Sequence, residues 1–158
     1  MQNAFKTIIN NKSSLLVAAE TGLINVVYAL LNQPNVDINY KDDQGFTALM
    51  CAAEQGHKEV TRLLLSRSDI KVNMQNNKGA TALMQAARNG HKEIVKQFLN
   101  HPDININVQT RNGATALDAA IFMGHEDIVN MLRHAEIYVN KERKTKKTAT
   151  NNPVKVKV

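Results

Sequence analysis

Three histidines recur at a fixed interval and are the side chains best suited to bind a metal ion. His57, His91 and His125 lie 34 residues apart, and each directly follows a glycine. One zinc ion would need their ring nitrogens to converge to about 2.0–2.1 Å from it. Residues at equivalent positions of neighbouring packed helices are instead about 8–10 Å apart. We therefore predict that these histidines serve as turn and capping residues and that the protein binds no metal.

The sequence offers few residues for nucleophilic catalysis. Cys51 is its single cysteine, so no disulfide can form within the chain, and no local motif supplies the electropositive surroundings that activate a thiol. Ser13 and Ser14 could be imagined beside His57, but Ser13 is better explained as a helix N-cap. The sequence has no glycine-rich phosphate loop, no His-Glu-x-x-His and no paired-cysteine motif. We predict a protein that is not an enzyme, uses no cofactor and takes no small-molecule substrate.

These residues belong to an internal repeat of 34 residues. The repeat is clearest in Gly-Phe-Thr-Ala-Leu-Met-Cys-Ala-Ala (45–53), Gly-Ala-Thr-Ala-Leu-Met-Gln-Ala-Ala (79–87) and Gly-Ala-Thr-Ala-Leu-Asp-Ala-Ala-Ile (113–121). A weaker first copy occupies residues 11–19. Near-identical segments at a fixed period indicate structural units that stack on their neighbours.

Each repeat contains the signals of two short helices. In the second copy, Thr47 stands where a hydroxyl group would cap a helix N-terminus. Gly56 suits a left-handed C-cap, a conformation that a residue with a Cβ resists. Apolar residues at helical spacing, from Val60 to Leu64, then predict a second helix. Polar, glycine-containing stretches such as residues 42–45 predict a hairpin-like turn between successive helix pairs.

These features resemble the ankyrin repeat family, whose signature is Thr-Pro-Leu-His-x-Ala. The resemblance includes Gly-His between the two helices and an apolar residue followed by asparagine before each hairpin, and it covers about residues 11–134. Tetratricopeptide repeats share the period, but their bulky aromatic positions are missing here. The departures from the signature are alanine for proline and a different residue for histidine, at Ala48, Ala82, Ala116, Met50, Met84 and Asp118.

The resemblance implies an all-α repeat solenoid of four stacked helix-turn-helix repeats with hairpin-like connecting loops. We expect one ankyrin repeat domain over residues 1–140, with an N-terminal cap over residues 1–10 that uses Phe5, Ile8 and Ile9. The expected repeats span about residues 11–44, 45–78, 79–112 and 113–137.

The resemblance also implies a binding surface for a partner protein on the concave face, formed by the hairpin tips and the ends of the first helices. These positions differ between repeats while the framework stays constant. By register, the partner-binding residues are Gln44, Phe46, Glu54, Gln55, Lys78, Arg88, Asn89, Arg111, Asn112, Phe122 and Met123. Phe46, Phe122 and Met123 are apolar, which favours contact with a partner. The alternative for the last two is that Ile137 and Tyr138 fold back and cap the last repeat.

The net charge of +6 is concentrated near the C-terminal end. Residues 141–158 hold seven of the 20 basic residues and one of the 14 acidic ones, so residues 1–140 hold 13 of each. We expect this basic tail to be disordered because it has no apolar stripe. It could be a solvated tail, an electrostatic contact or nuclear-import signal, or a strand added to a partner's sheet. The alternative function is therefore a basic-tailed adaptor that tethers to nucleic acid or an acidic membrane surface.

The sequence further predicts a cytoplasmic monomer, with a nuclear or host-cell location as the alternative. The longest apolar stretch, residues 15–31, is interrupted by Glu20, Thr21 and Asn25, so we expect neither a membrane span nor a signal-peptide core.

Overall fold

The computed structural model describes residues 14–150, and the side chains of residues 14–138. Within this range the protein is helical, without strands, and its helices are α1 Ser14–Glu20, α2 Ile24–Leu31, α3 Ala48–Gln55, α4 Lys58–Leu65, α5 Ala82–Arg88, α6 Lys92–Leu99, α7 Ala116–Met123 and α8 Glu126–Thr150. The predicted N-terminal cap of residues 1–10 lies outside the described residues, as does Ser13.

The helices are arranged as four pairs, α1/α2, α3/α4, α5/α6 and α7/α8. The first helix of each pair packs on the first helix of the next pair, and the second helices pack in the same way. This arrangement confirms the predicted solenoid of four helix-turn-helix repeats. The repeat boundaries given above stay predictions.

A threonine starts the first helix of the second, third and fourth repeats. The hydroxyl oxygens of Thr47, Thr81 and Thr115 each accept a bond of 3.3 Å from the backbone N–H three residues later. In the fourth repeat the cap is reciprocal, because Oδ2 of Asp118 accepts bonds from both N and Oγ1 of Thr115, each at 2.8 Å. These two bonds hold the pKa of Asp118 below its usual range. Asp118 therefore replaces the histidine of the family signature with a capping carboxylate.

The loops between repeats form the predicted hairpin-like turns. In the loop before α3, the N–H of Asp42 donates to the carbonyl of Phe46 at 3.0 Å, and the N–H of Gly45 donates back to Asp42 at 2.9 Å. The same pair of backbone bonds closes the loops at Asn76 and Thr110. A side-chain oxygen at the first position of each turn accepts a further backbone bond, so a polar residue there fixes the turn locally.

An asparagine at the start of each loop ties that loop to the next. Nδ2 of Asn39 donates to the carbonyl of Asp69 at 2.8 Å, and its Oδ1 accepts from the N–H of Lys71 at 2.8 Å. Asn73 repeats both bonds one repeat later, with Asp103 and Asn105. Asn39 and Asn73 of the apolar-Asn pairs are therefore contacts between repeats, whereas the N–H of Asn107 bonds within its own loop, to Oδ1 of Asn105.

The core lies between the two layers of helices and is built from aliphatic side chains, alanine and methionine, together with Cys51 and the fully buried ring of Phe98. Leu49 and Leu83 are buried, as are Met50 and Met84, which gives these methionines a packing role. Leu117 holds the same position in the fourth repeat but is only half-buried. Among the described residues, no further repeat packs on this side of Leu117, so it lacks the neighbour that each preceding leucine has.

The histidine of each Gly-His pair joins its repeat to the one before. Nε2 of the ring lies 2.8–3.0 Å from a carbonyl oxygen at the end of the preceding first helix, in the pairs His57–Glu20, His91–Glu54 and His125–Arg88. Since a carbonyl oxygen only accepts, Nε2 carries the proton. The ring makes no cap bond to its own second helix, so the predicted capping role belongs to the neighbouring repeat instead.

The glycine of each Gly-His pair makes room for the histidine of the next repeat. A Cβ on Gly56 would lie 2.6 Å from Cε1 of His91, and the same clash would arise at Gly22 and Gly90. A Cβ on Gly124 would have no neighbour within 4 Å. All four glycines have positive φ. At Gly22, Gly56 and Gly90, glycine therefore serves two purposes: it adopts the left-handed backbone, and it leaves space for the histidine ring of the next repeat.

Helix α8 extends beyond the last repeat, to Thr150. The sequence predicted a disordered tail over residues 141–158, and the helical backbone of residues 141–150 differs from that expectation. Extending an existing helix avoids the cost of nucleation, and Lys, Arg and Glu are favourable in helices. Residues 151–158 lie outside the described residues. Among residues 14–150, no helix combines the length and apolar character needed to cross a membrane.

We predict that Gly56→Ala destabilises the protein more than Gly124→Ala. Both changes place alanine in a left-handed conformation, which costs about 1–2 kcal/mol. Only the change at Gly56 would also displace His91 from the Glu54 carbonyl, a bond worth about 0.5–1.5 kcal/mol. Urea unfolding of both variants, followed by circular dichroism, measures the difference.

A double-mutant cycle with His91→Ala tests the cause. Without the imidazole ring, Gly56→Ala should cost no more than Gly124→Ala does. An equal cost of Gly56→Ala in both backgrounds would show that the ring does not depend on the missing Cβ.

We predict that the contribution of Asp118 to stability disappears at low pH. The lowered pKa means that the folded protein stabilises the charged form of Asp118. Its contribution to the free energy of unfolding is therefore complete above the ordinary aspartate pKa of about 3.9. It is lost as the pH falls through the lower pKa of the folded protein. At pH 7, Asp118→Ala should cost about 0.5–1 kcal/mol, as expected for an exposed cap. The free energies of unfolding of the two proteins should converge between pH 4 and pH 2; a constant difference would contradict the cap.

Candidate protein-interaction surface

The last turns of the first helices present a row of side chains that differ in each repeat. We call this the helix-end row: Glu20, Glu54, Arg88 and Phe122. In the first three, the backbone carbonyl is occupied by the histidine of the next repeat. Their side chains extend from the framework, Glu54 half-buried and the other three exposed. The backbone of this row is therefore fixed, while its side chains are free to vary.

The neighbouring predicted residues lie beside this row. Gln55, Asn89 and Met123 are exposed, and Nδ2 of Asn89 donates to the carbonyl of Gln85 at 2.9 Å, at the end of α5. Gln55 and Met123 make no side-chain hydrogen bond to a described residue. The structure thus brings the predicted residues at the ends of α3, α5 and α7 together along one edge of the first-helix layer.

The hairpin tips present a second row, which we call the tip row: Asp43, Gln44, Asn77, Lys78, Arg111 and Asn112. All six side chains are exposed. The tips are tied to one another through the backbone, because the N–H of Asn77 donates to the carbonyl of Gln44 at 3.0 Å and that of Arg111 donates to Lys78 at 3.2 Å. The charged groups of Lys78 and Arg111 make no ion pair with a described residue. Nδ2 of Asn77 donates to the carbonyl of Asp43 at 2.9 Å, so this side chain helps to fix the tips. The tip row therefore combines a fixed backbone with charged groups, those of Lys78 and Arg111, that are unpaired among the described residues.

Phe46 does not have the exposed position that its place near a hairpin tip suggested. The ring is half-buried and packs against the core. Its N–H and carbonyl both bond to Asp42 across the turn. Phe46 therefore belongs mainly to the packing beneath the tip row, and the sequence missed this because a hairpin residue's burial depends on the adjoining repeat.

The end of α7 is apolar and open. The side chain of Phe122 is 88% exposed, and Ile121 and Met123 are also exposed. Ile137 and Tyr138, which were considered as a cap over these residues, are themselves exposed, so the described part of the tail does not cover Phe122. A groove of about 340 Å³ adjoins this end of the stack, lined by Ile121, Gly124, Glu126, Val129, Asn130 and Arg133.

Ile121 is an exposed residue that the sequence did not predict to lie on this surface. The equivalent residues of the earlier repeats are Ala19, Ala53 and Ala87, all fully buried. A large side chain at a position otherwise held by alanine was the available signal. The site also has an apolar counterpart on the first repeat, where Val17, Leu23, Ile24, Val26 and Tyr28 are exposed. The residues expected to cover that repeat lie outside the described range.

Cys51 sits at the acidic end of the surface but is unsuited to nucleophilic chemistry. Its side chain is buried. The pKa of the thiol is raised to about 12, mainly by burial and in addition by the carboxylates of Glu20, Asp42 and Glu54. A reactive cysteine needs the opposite surroundings, with a lowered pKa.

The histidines do not converge on a metal site. Each of the three rings is engaged by a different carbonyl oxygen. Among the residues that the structure describes, no group of three or more His, Cys, Asp or Glu side chains is placed to hold a metal ion. The chemistry available on this surface is therefore charge, hydrogen bonding and apolar contact.

Comparison with known proteins gives one family. A family model described as ankyrin repeats (3 copies) matches the chain twice, over residues 1–76 and 68–143. No curated protein matches it significantly.

We predict that Cys51 reacts slowly with iodoacetamide in the folded protein. With a pKa of about 12, its thiolate fraction at pH 7.5 is on the order of 10³-fold below that of an unperturbed cysteine. The alkylation rate, measured by mass spectrometry, should rise at least that much on unfolding in urea. Glu20→Gln combined with Glu54→Gln should accelerate the reaction of the folded protein. Equal rates in folded and unfolded protein would contradict this account.

Proposed function

The chain belongs to the ankyrin repeat family, and from this premise we propose that it is a protein-interaction module that binds one partner protein across the helix-end row and the tip row. Ankyrin repeats are generally protein-protein interaction modules. One observation carries the choice of surface: side chains at identical framework positions change from acidic to basic to aromatic along the stack. A purely structural surface has no need for such differences.

The distribution of hydrogen bonds supports this surface. Backbone groups at the helix ends and tips are engaged between repeats, whereas Arg88, Lys78 and Arg111 leave their charged groups unpaired among the described residues. The exposed ring of Phe122 adds an apolar anchor of the kind enriched at binding hot spots. Phe46 contributes through its half-buried edge.

The proposal includes no reaction. The ankyrin repeat family is typically non-enzymatic, and the raised pKa of Cys51 argues against a thiol nucleophile. A single buried cysteine suits a reducing compartment, so we place the protein in the cytoplasm. We also expect it to be a monomer.

A second candidate function rests on the basic tail. Residues 141–150 continue α8 as helical backbone and contain five basic residues and one acidic residue. A basic helix that projects from the last repeat could tether the protein to nucleic acid or an acidic membrane surface, by neutralising phosphates. Such binding would weaken steeply with salt.

We predict that Phe122→Ala and Arg88→Ala weaken capture of the partner. Each should lose about 1–4 kcal/mol of binding if it is a hot spot. Stability should change by no more than about 0.5 kcal/mol, since both side chains are exposed. The measurement is affinity capture from cells that express the protein, quantified by mass spectrometry, followed by calorimetric titration of the purified partner.

Matched controls lie elsewhere on the same molecule. Arg62→Ala removes an exposed arginine of α4, and Tyr138→Ala removes an exposed aromatic ring of α8; neither should alter capture. A partner retained by all four variants and lost on removal of residues 141–158 would favour the tail instead.

A further inference from the structure

The helix-end row reverses its charge halfway along the stack. The equivalent positions of the four repeats are Glu20, Glu54, Arg88 and Phe122, which read acidic, acidic, basic and aromatic. The His57–Glu20, His91–Glu54 and His125–Arg88 bonds place the first three in the same structural position of successive repeats. The reversal is therefore a real change along one line on the surface.

The tip row reverses at the same boundary. Asp43 is the charged residue of the first tip, Lys78 that of the second tip, and Arg111 that of the third. The second tip precedes α5, so Lys78 borders the third repeat together with Arg88. The two rows have different local structures, a helix terminus and a turn. The helix-end row changes from acidic to basic between the second and third repeats, and Lys78 lies in the tip that joins these two repeats.

The two acidic segments share one electrostatic environment. Cys51 lies on α3 between them, and carboxylates from both the helix ends and the hairpin, Glu20, Glu54 and Asp42, act on its thiol. The tips immediately precede the N-termini of α3, α5 and α7, and the helix-end row stands at the C-terminal ends of the first helices, so both rows border one face, that of the first-helix layer. That face has an acidic half over the first two repeats and a basic half over the third and fourth.

Two charged side chains near this face have the sign opposite to that of their half, and both are engaged in hydrogen bonds within the protein. In the acidic half, Nζ of Lys41 donates to the carbonyl of Gln75 at 2.6 Å. In the basic half, the carboxylate of Asp118 accepts two bonds from Thr115. The ion pairs of the described residues, Arg62–Glu59, Arg67–Asp69 and Lys92–Asp127, involve neither row. Within the helix-end row and the tip row, the unpaired charges are therefore sorted by sign.

We propose that this face binds a bipolar peptide segment, with basic residues over the first two repeats, acidic residues over the third, and an apolar residue against Phe122. The proposal rests on the protein-interaction function proposed above and specifies the chemistry of its partner. Four positions spaced by helix packing span about 30 Å, which an extended segment of about nine residues covers. Complementary charges fix register and orientation more than affinity, so reversing the sequence order of the charges should be the decisive perturbation.

The probe is a synthetic peptide, Lys-Lys-Lys-Gly-Glu-Glu-Glu-Gly-Leu, tested together with its reversed sequence because charge alone does not set the chain direction. The control has the same composition with alternating lysine and glutamate. Fluorescence anisotropy at low ionic strength should show that one of the two block peptides binds about tenfold or more tightly than the control. Equal affinities of block and alternating peptides, or no binding of either block peptide, would overturn the proposal.

Orientation is read by NMR with a nitroxide at the lysine end of the bound block peptide. Broadening should be strongest at the amides of Thr21 and Gln55, and weak at Asn89 and Asn112. Broadening spread evenly over the four sites would overturn the proposal.

Charge-reversal variants give the sharpest test. Glu20→Lys with Glu54→Lys, and separately Arg88→Glu with Arg111→Glu, should each weaken the block peptide about tenfold. The combined fourfold variant should recover binding and move the broadening to Asn89 and Asn112. The control swap, Glu59→Lys with Arg62→Glu on α4, should change nothing. A fourfold variant that stays as weak as the pairs would overturn the proposal.

The two proposals fail in different ways. If the peptide tests fail while Phe122→Ala still loses the captured partner, the surface binds a protein but not a bipolar segment. If the captured partner is retained by Phe122→Ala and Arg88→Ala, the protein-interaction function on this face is wrong, whatever the peptides do.

Discussion

The histidine ring of each repeat rests on the glycine of the repeat before it, and the first-helix layer depends on this contact. The contact makes three demands on one short segment. The glycine must take a left-handed conformation, its position must lack a Cβ so that the ring can approach, and the helix-end carbonyl must be free to accept from Nε2. His57, His91 and His125 meet all three demands against Gly22, Gly56 and Gly90. The constant repeat length agrees with this contact, because each ring must reach the glycine of the preceding repeat.

The loops, too, are joined from repeat to repeat by a few recurring hydrogen bonds. Asn39 and Asn73 use side-chain amides to bind the backbone of the next loop, and the tips bond through main-chain groups. The joints between repeats use backbone groups, glycine, histidine and asparagine, together with a few long side chains such as Lys41, Arg67 and Lys92. The side chains of the helix-end row take part in none of these bonds. This freedom is what allows Glu20, Glu54, Arg88 and Phe122 to differ, and it connects the packing of the solenoid with a surface adapted to a partner.

The fourth repeat differs from the others because no further repeat packs on it within the part of the chain that the structure describes. Gly124 has its left-handed backbone but no ring above it, and Leu117 is only half-buried. Ile121 is exposed where the earlier repeats bury alanine, and Arg133 stands exposed where the first repeat buries Leu31. At this end of the stack, α8 has the polar residue Arg133 exposed, while α7 has the apolar residues Ile121, Phe122 and Met123 exposed. The apolar part coincides with the end of the helix-end row, which is why the aromatic anchor lies there.

The sequence by itself determined the local structure: the helix pairs, their threonine caps, the glycine termini and the turns are each set by residues within a few positions of one another, and the constant period implied stacking. It also placed the candidate surface by register. Tertiary structure alone decided which groups meet across repeats. The carbonyl that binds His57 is 37 residues away in the chain, and the burial of Phe46 and the exposure of Ile121 depend on whether a neighbouring repeat covers them. Spacing in the sequence could show that His57, His91 and His125 do not share a metal, but not that each binds the preceding helix, because that bond is made only once two repeats have packed.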